Sequence, residues 1–321
     1  MALYLSHSSA LRYWLTKTKN ECIPEAAPVT NLAIASSSAA EAKAELLPID
    51  FSTDRPLHVL VGDRALSWKL ESIRTHVWRG PIPSGAFCSL VGQNCVSSPE
   101  FVFVQMAYRR SLVDLVEIGC YLCGTFAIGD EGRGYAGERA ALTTPEEIAR
   151  FISRVPGAYG SGLASRALSY VVPGAASPME VLLVLAFVLP PALGGWVMPE
   201  ISANQHIPID EDLRVLADAT HFVGDIYLPS VRGDVEYDSK EFHSGSYRLD
   251  HTQTRRNVLE AMQIKTVSAT PRQISTFRKF EAFIGMVKRR FGLEQCEFTA
   301  KERKAQIELY ERMTSTKRTL F

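Results

Sequence analysis

Apolar positions in this chain fall into short runs whose period changes along its length. The run "PLHVLVG" (56–62) reads as a strand, and "SPEFVFVQMAYRRSLVDLVEIGCYLCG" (98–124) spaces its apolar residues as helices do. "TTPEEIARFISR" predicts a helix opened by Thr144 and Glu147 in capping-box spacing, and "YGSGLASRALSYVV" predicts a second. In "GAASPMEVLLVLAFVLPP" Ser177 is placed as N-cap, Pro178 as the first helical residue and Glu180 in the first turn. After an irregular segment the pattern gives strand "HFVGDIYLP", turn "SVRGD", strand "VEYDS", helix "YRLDHTQTRRNVLEAMQ", strand "KTVSAT" and helix "ISTFRKFEAFIGMVKRR". No internal repeat is visible.

This ordering predicts an α/β (α+β) protein with a boundary near Pro173–Gly174. Residues 1–173 are expected to form a mostly helical accessory or DNA-reading domain, with the Ala-, Ser- and Pro-rich stretch 24–48 as a flexible segment. Residues 174–290 are expected to form a mixed sheet flanked by helices, and 291–321 a basic C-terminal tail.

Composition narrows the partners. A chain of 321 residues with 46% hydrophobic content can bury two cores, and its net charge of +0 exerts no overall pull on nucleic acid or an anionic membrane. The pull has to be local. From Arg272 to Phe321 there are 12 Lys/Arg against 6 Asp/Glu, including Lys288, Arg289 and Arg290, which is either a solvated helix face or a nucleic-acid contact. The start "MALYLSHSSALRYW" is interrupted by Arg12 and does not read as a signal peptide, and "VLLVLAFVL" is far short of the ~20 residues that cross a bilayer, so a cytoplasmic protein is expected. Cys120 and Cys123 form a CxxC, but Cys88 and Cys95 are poorly spaced to complete a zinc site, so the six cysteines read as reduced, buried thiols. Gly132, Gly134 and Gly137 have G-x-G-x-x-G spacing, yet residue 157 is Gly where a dinucleotide site needs an acid, and that reading fails.

The chemistry concentrates in "DVEYDSKEFH" (234–243). Strand alternation puts Glu236 and Asp238 on one face, where two carboxylates repel and call for a cation. A hairpin through 230–234 would bring Asp225 beside Glu236, and such a set of oxygens suits Mg2+ or Mn2+. His243 follows as a candidate general base, with Asp238 as a loop cap and His243 as an ordinary loop histidine standing as the structural alternatives. Asp250 and Arg255 share a helix and would pair with each other or with the site, while Arg256 is a candidate phosphate contact.

The series Glu180, Asp225, "VEYDS", Phe242–His243, Asp250 and "TRRNVLEAMQIKTVSAT" resembles the PD-(D/E)XK nuclease superfamily, most closely its very-short-patch-repair-like branch, over about residues 175–280. The resemblance implies a restriction-endonuclease-like core in which Glu180, Asp225 and Glu236 hold Mg2+ or Mn2+. It places Asp238, His243 and Asp250 in or near the catalytic group; by their charge, Arg255, Arg256, Lys288, Arg289 and Arg290 are the candidate DNA contacts. Two departures stand out: Asp238 replaces the superfamily's lysine, as it does in that branch, and Ser239 stands where the branch usually has Gly. The first half, through "SHSSALRYW", "SPEFVFVQMA" and "LCGTF", is similar to the N-terminal parts of AbiEi-like antitoxins of type IV toxin–antitoxin systems, which implies an accessory or DNA-reading role and a toxin or other system partner. The function implied is metal-dependent DNA endonuclease; the alternative is a non-catalytic DNA-binding or antitoxin-like regulator that keeps the nuclease fold.

Overall fold

Ser and Thr side chains start helices where the sequence places them. The Ser177 hydroxyl accepts from the Glu180 amide, and Thr144 and Glu147 close a reciprocal capping box. The computed structural model describes residues 2–32, 47–67, 70–108, 110–238, 246–315 and 318–321, and of 246–252 the backbone alone. It divides into two units, Met1–Val171 with Thr319–Phe321, and Val172–Arg318.

The first unit runs β1 (Tyr4–Leu5), α1 (His7–Leu15), β2 (Leu57–Val61), β3 (Ile73–Val77), β4 (Phe87–Ser89), β5 (Cys95–Ser97), α2 (Pro99–Met106), α3 (Leu112–Leu122), β6 (Phe126–Gly129), β7 (Arg133–Glu138), α4 (Pro145–Arg154) and α5 (Ser161–Leu168). Among the described residues, five strands form one mixed sheet in the order β3-β2-β1-β5-β4, and β6 and β7 form a separate hairpin. The expectation of a mostly helical first half is therefore corrected. These strands are two to five residues long, and β1 and β5 are buried along their whole length, so apart from β2 no apolar alternation marks them. Phe87, Phe101, Val104, Leu60 and Phe151 pack into one core cluster. Ala27 and Leu32, from the stretch expected to be flexible, belong to that cluster, while 33–46 lie outside the described residues. The six cysteines are free thiols, with Cys120 and Cys123 buried, and the glycine-spaced segment 132–137 is the turn and strand of the β6–β7 hairpin.

The second unit runs α6 (Pro178–Val188), β8 (Ser202–Pro208), α7 (Arg214–Ala217), β9 (His221–Leu228), β10 (Gly233–Tyr237), α8 (Ser246–Ala261), β11 (Lys265–Ala269), α9 (Phe277–Phe291) and α10 (Ala300–Thr314). Its sheet has the order β11-β10-β9-β8, with β10–β11 parallel and the other pairs antiparallel. This is a mixed sheet flanked by helices. Val258 and Leu259 of α8, with Met262 just past its end, pack with Ile207, Phe222 and Ile264. α6 is apolar on all sides because it is enclosed, with Val181 to Phe187 buried.

The segment after residue 291 is not a tail. α10 is capped by a Thr299–Glu302 box, Tyr310 donates to the Ile274 carbonyl at 2.8 Å, Gln306 donates to the Gly195 carbonyl at 3.3 Å, and Arg303 pairs with Glu281. No helix among the described residues is long and apolar enough to cross a membrane.

Candidate functional site

Acids from three elements of the second unit face one another: Glu180 in the first turn of α6, Asp225 on β9, and Asp234 and Glu236 on β10. Chain pairing creates the cluster. β9 and β10 run antiparallel through Asp234↔Tyr227 and Val235↔Ile226, so the next rung would set Glu236 opposite Asp225. There a side chain takes over from the backbone ladder, and the Tyr237 amide donates to Asp225 Oδ2 at 2.7 Å. Burial pushes the Asp225 carboxyl up to about 6; Glu180 and Glu236 add to the rise, while the Tyr237 hydrogen bond and Arg255 oppose it.

Asp234 is the acid that sequence reasoning leaves out of the site. It is 0% exposed, and neither carboxylate oxygen has a hydrogen-bond partner. It lies directly over Gly224, where an added Cβ would come 2.6 Å from Asp234 Oδ1. Burial first, then Glu236 and Asp225, raise its pKa to about 8 against the pull of Arg255; the Ile226 amide also pulls downward but completes no hydrogen bond. The signal in the sequence is an acid one residue inside a strand, next to Val235, where a soluble sheet rarely buries a charge.

Arg255 of α8 is the cation that reaches these acids. Its Nε donates to Glu236 Oε1 at 2.9 Å and its Nη2 to the same oxygen at 2.6 Å, while Nη2 lies 3.8 Å from Asp234 Oδ2. Nη2 also donates to the Val223 carbonyl at 2.7 Å, and the guanidinium stands 4.9 Å from the Phe222 ring centre. The arginine is thereby turned into the cluster instead of outward to a phosphate.

Glu180 is nearly enclosed and well satisfied. Its carboxylate accepts from the Ala176 amide at 2.7 Å, the Ser177 hydroxyl at 2.9 Å and the Asn204 amide at 3.0 Å. Burial raises its pKa, and those three hydrogen bonds hold the rise back. Its charge acts on Asp225, but its oxygens are spent on the helix entrance.

The remaining candidates separate. Asp238 is exposed just past β10; its amide donates to the Ala269 carbonyl at 2.9 Å, and its charge acts on the Tyr237 phenol. The expected repelling pair of Glu236 and Asp238 is thus replaced by Glu236 with Asp225 and Asp234, because the strand ends at Tyr237. His243 lies outside the described residues; Asp250 is on α8, and its side chain too lies outside them. Lys288 is corrected: it is buried, with Nζ donating to the Glu294 carbonyl at 3.2 Å and 3.3 Å from Cys296 Sγ, so it cannot face a phosphate. Arg256, Arg289 and Arg290 are exposed.

A hard cation takes oxygen ligands, and the Asp225, Asp234 and Glu236 set offers only oxygens, two of them orphaned on Asp234. Among the described residues no three His, Cys, Asp or Glu groups are already gathered as a metal-holding set. Comparison with family models, curated proteins and solved structures finds no match to the chain.

Proposed function

We propose that the second unit is a metal-dependent phosphodiesterase acting on DNA, with Asp225, Asp234 and Glu236 as the residues that hold Mg2+ or Mn2+. The observation that carries this reading is the fully buried Asp234 carboxylate, without a hydrogen-bond partner, beside two further acids. A buried carboxylate that completes no hydrogen bond and meets Arg255 only at 3.8 Å is costly, so the site calls for either a proton or a closer cation. When bound, the metal lowers the pKa of a water and neutralises charge on the phosphoryl oxygen. Asp225 is fixed for its part by the Tyr237 amide. Arg255 balances Glu236 and shields it from Asp234. Exposed Arg256, Arg289 and Arg290 would take phosphates.

A second reading has its own observation. Arg255 already satisfies Glu236 through two short hydrogen bonds, as a DNA-binding or antitoxin-like regulator that kept the fold without the metal would do. Supercoiled plasmid incubated with the protein in Mg2+, Mn2+ or chelator, alongside Mn2+ binding followed by electron paramagnetic resonance, separates the two. Metal-dependent nicking that is lost in Asp225→Asn and Asp234→Asn supports the enzyme. DNA binding with no Mn2+ bound at millimolar concentration leaves the regulator.

A further inference from the structure

The first unit holds a cavity of about 720 Å³ that the acidic site does not explain. Three imidazoles stand in its wall. His7 stacks on His76 with ring centres 3.7 Å apart, His76 stacks on His58 at 4.9 Å, and His76 Nε2 lies 2.9 Å from His58 Nδ1. One of those two nitrogens donates and the other accepts, so the pair shares a single proton. His7 is held there at a backbone cost: its φ is 48, in the left-handed region, and it is anchored by its amide donating to Gln105 Oε1 at 2.9 Å. A non-glycine residue in that conformation costs on the order of 1 kcal/mol and is tolerated where its surroundings fix it.

The other groups in the wall are unequal in charge. Arg74 and Arg110 are cations, Glu71 is the acid, and Leu70, Ile73 and Met106 supply an apolar surface. The volume is that of a small-molecule site, since such pockets span roughly 300–1,000 Å³ and combine apolar walls with a few polar groups. We propose that this cavity binds a small organic phosphate, with the phosphate taken by Arg74, Arg110 and the imidazoles and the organic body lying on the apolar wall.

Proton uptake follows from the same geometry. Burial first, then His76, Arg74 and Arg110, hold His58 down to about 4, and burial with His76 and His58 holds His7 well below 6.5. A dianion bound beside the imidazoles attracts the charged form of His58 and offsets the repulsion that Arg74 and Arg110 add to burial, so the His58–His76 pair gains a proton from solvent as the ligand enters.

Titration calorimetry of the full chain with adenosine 5′-monophosphate and ribose 5-phosphate, against adenosine and ribose, in buffers of low and high ionisation enthalpy, tests this. The expected result is saturable binding of the phosphate-bearing probes alone, tighter at pH 6 than at pH 8, with buffer-dependent heat. Arg74 is exposed and its replacement should leave the fold intact, so Arg74→Gln should weaken binding by about 10-fold or more. His58→Gln should remove the buffer dependence; if that variant melts early, His76→Asn serves the same purpose. Absence of saturable heat at millimolar probe, equal binding of the neutral probes, or an unchanged affinity in Arg74→Gln overturns the site. Buffer dependence that survives in both histidine variants belongs to the phosphate itself and overturns the imidazole role.

Discussion

Arg255 Nη2 lies 2.6 Å from Glu236 Oε1 and 3.8 Å from Asp234 Oδ2, so one guanidinium from a helix serves two carboxylates of the same strand. Asp234 receives only the longer contact, and its oxygens stay unpartnered. Arg255→Ala should therefore leave three acids uncompensated. The expected loss in metal-free protein is about 2–3 kcal/mol, below the ~3–5 kcal/mol of a fully buried pair because this one is partly exposed. Denaturant melts with and without Mn2+ check it, and the variant should gain more stability from the metal than the wild type does.

Gly224 and Asp234 approach too closely for any side chain. Gly224→Ala would drive a methyl group to 2.6 Å from Asp234 Oδ1 and should cost about 1–3 kcal/mol. Gly162→Ala is the contrasting variant: it lies in α5 with open space around the new Cβ, and should stabilise by up to about 1 kcal/mol. Thermal melts of the two variants should move in opposite directions.

The pH dependence of stability should carry the mark of His58. Its folded pKa of about 4 is below the ordinary 6.5, so between those values the unfolded chain binds the proton and the folded one does not. Stability from this group is complete above about 6.5 and falls as pH drops towards 4. Chemical denaturation across that window should show a shallower fall in His58→Gln than in the wild type, since the carboxylates that also titrate there are common to both.

The basic end of α9 should split by function. Arg289 and Arg290 are exposed, so changing both to Ser should weaken DNA binding and reduce its salt slope by roughly two, one for each phosphate no longer neutralised, without altering the melt. Lys288→Met should do the reverse, loosening the turn at Glu294 and Cys296 while leaving the salt slope unchanged. Fluorescence anisotropy over a salt series reads the first effect and thermal melting the second.

Local signals are legible where one residue decides. Ser177, Pro178 and Glu180 announce α6, and Thr144 with Glu147 announces α4. Strands β9, β10 and β11 are legible from their apolar runs, whereas β8 is not: "SANQHIP" is mostly polar and partly exposed because it sits at the edge of its sheet. The gathering of Asp225 with Glu236 follows from the short turn between their strands, but the inward turn of Asp234 does not. It depends on Gly224 of the neighbouring strand leaving room and on Arg255 arriving from α8, and sequence spacing records neither approach.

That edge position bears on how the protein behaves when crowded. A strand at the side of a sheet is a template for another chain to zip onto, and regular, flat strands are the ones that propagate. In β8 the pairing skips Asn204, whose φ of 47 bends the backbone while its amide is committed to the Gly174 carbonyl and Glu180. Pro208 then removes a donor at the strand's end. A bend halfway along and a missing donor at the end make poor footing for a foreign strand, so the residues that tether the entrance of α6 also discourage self-association.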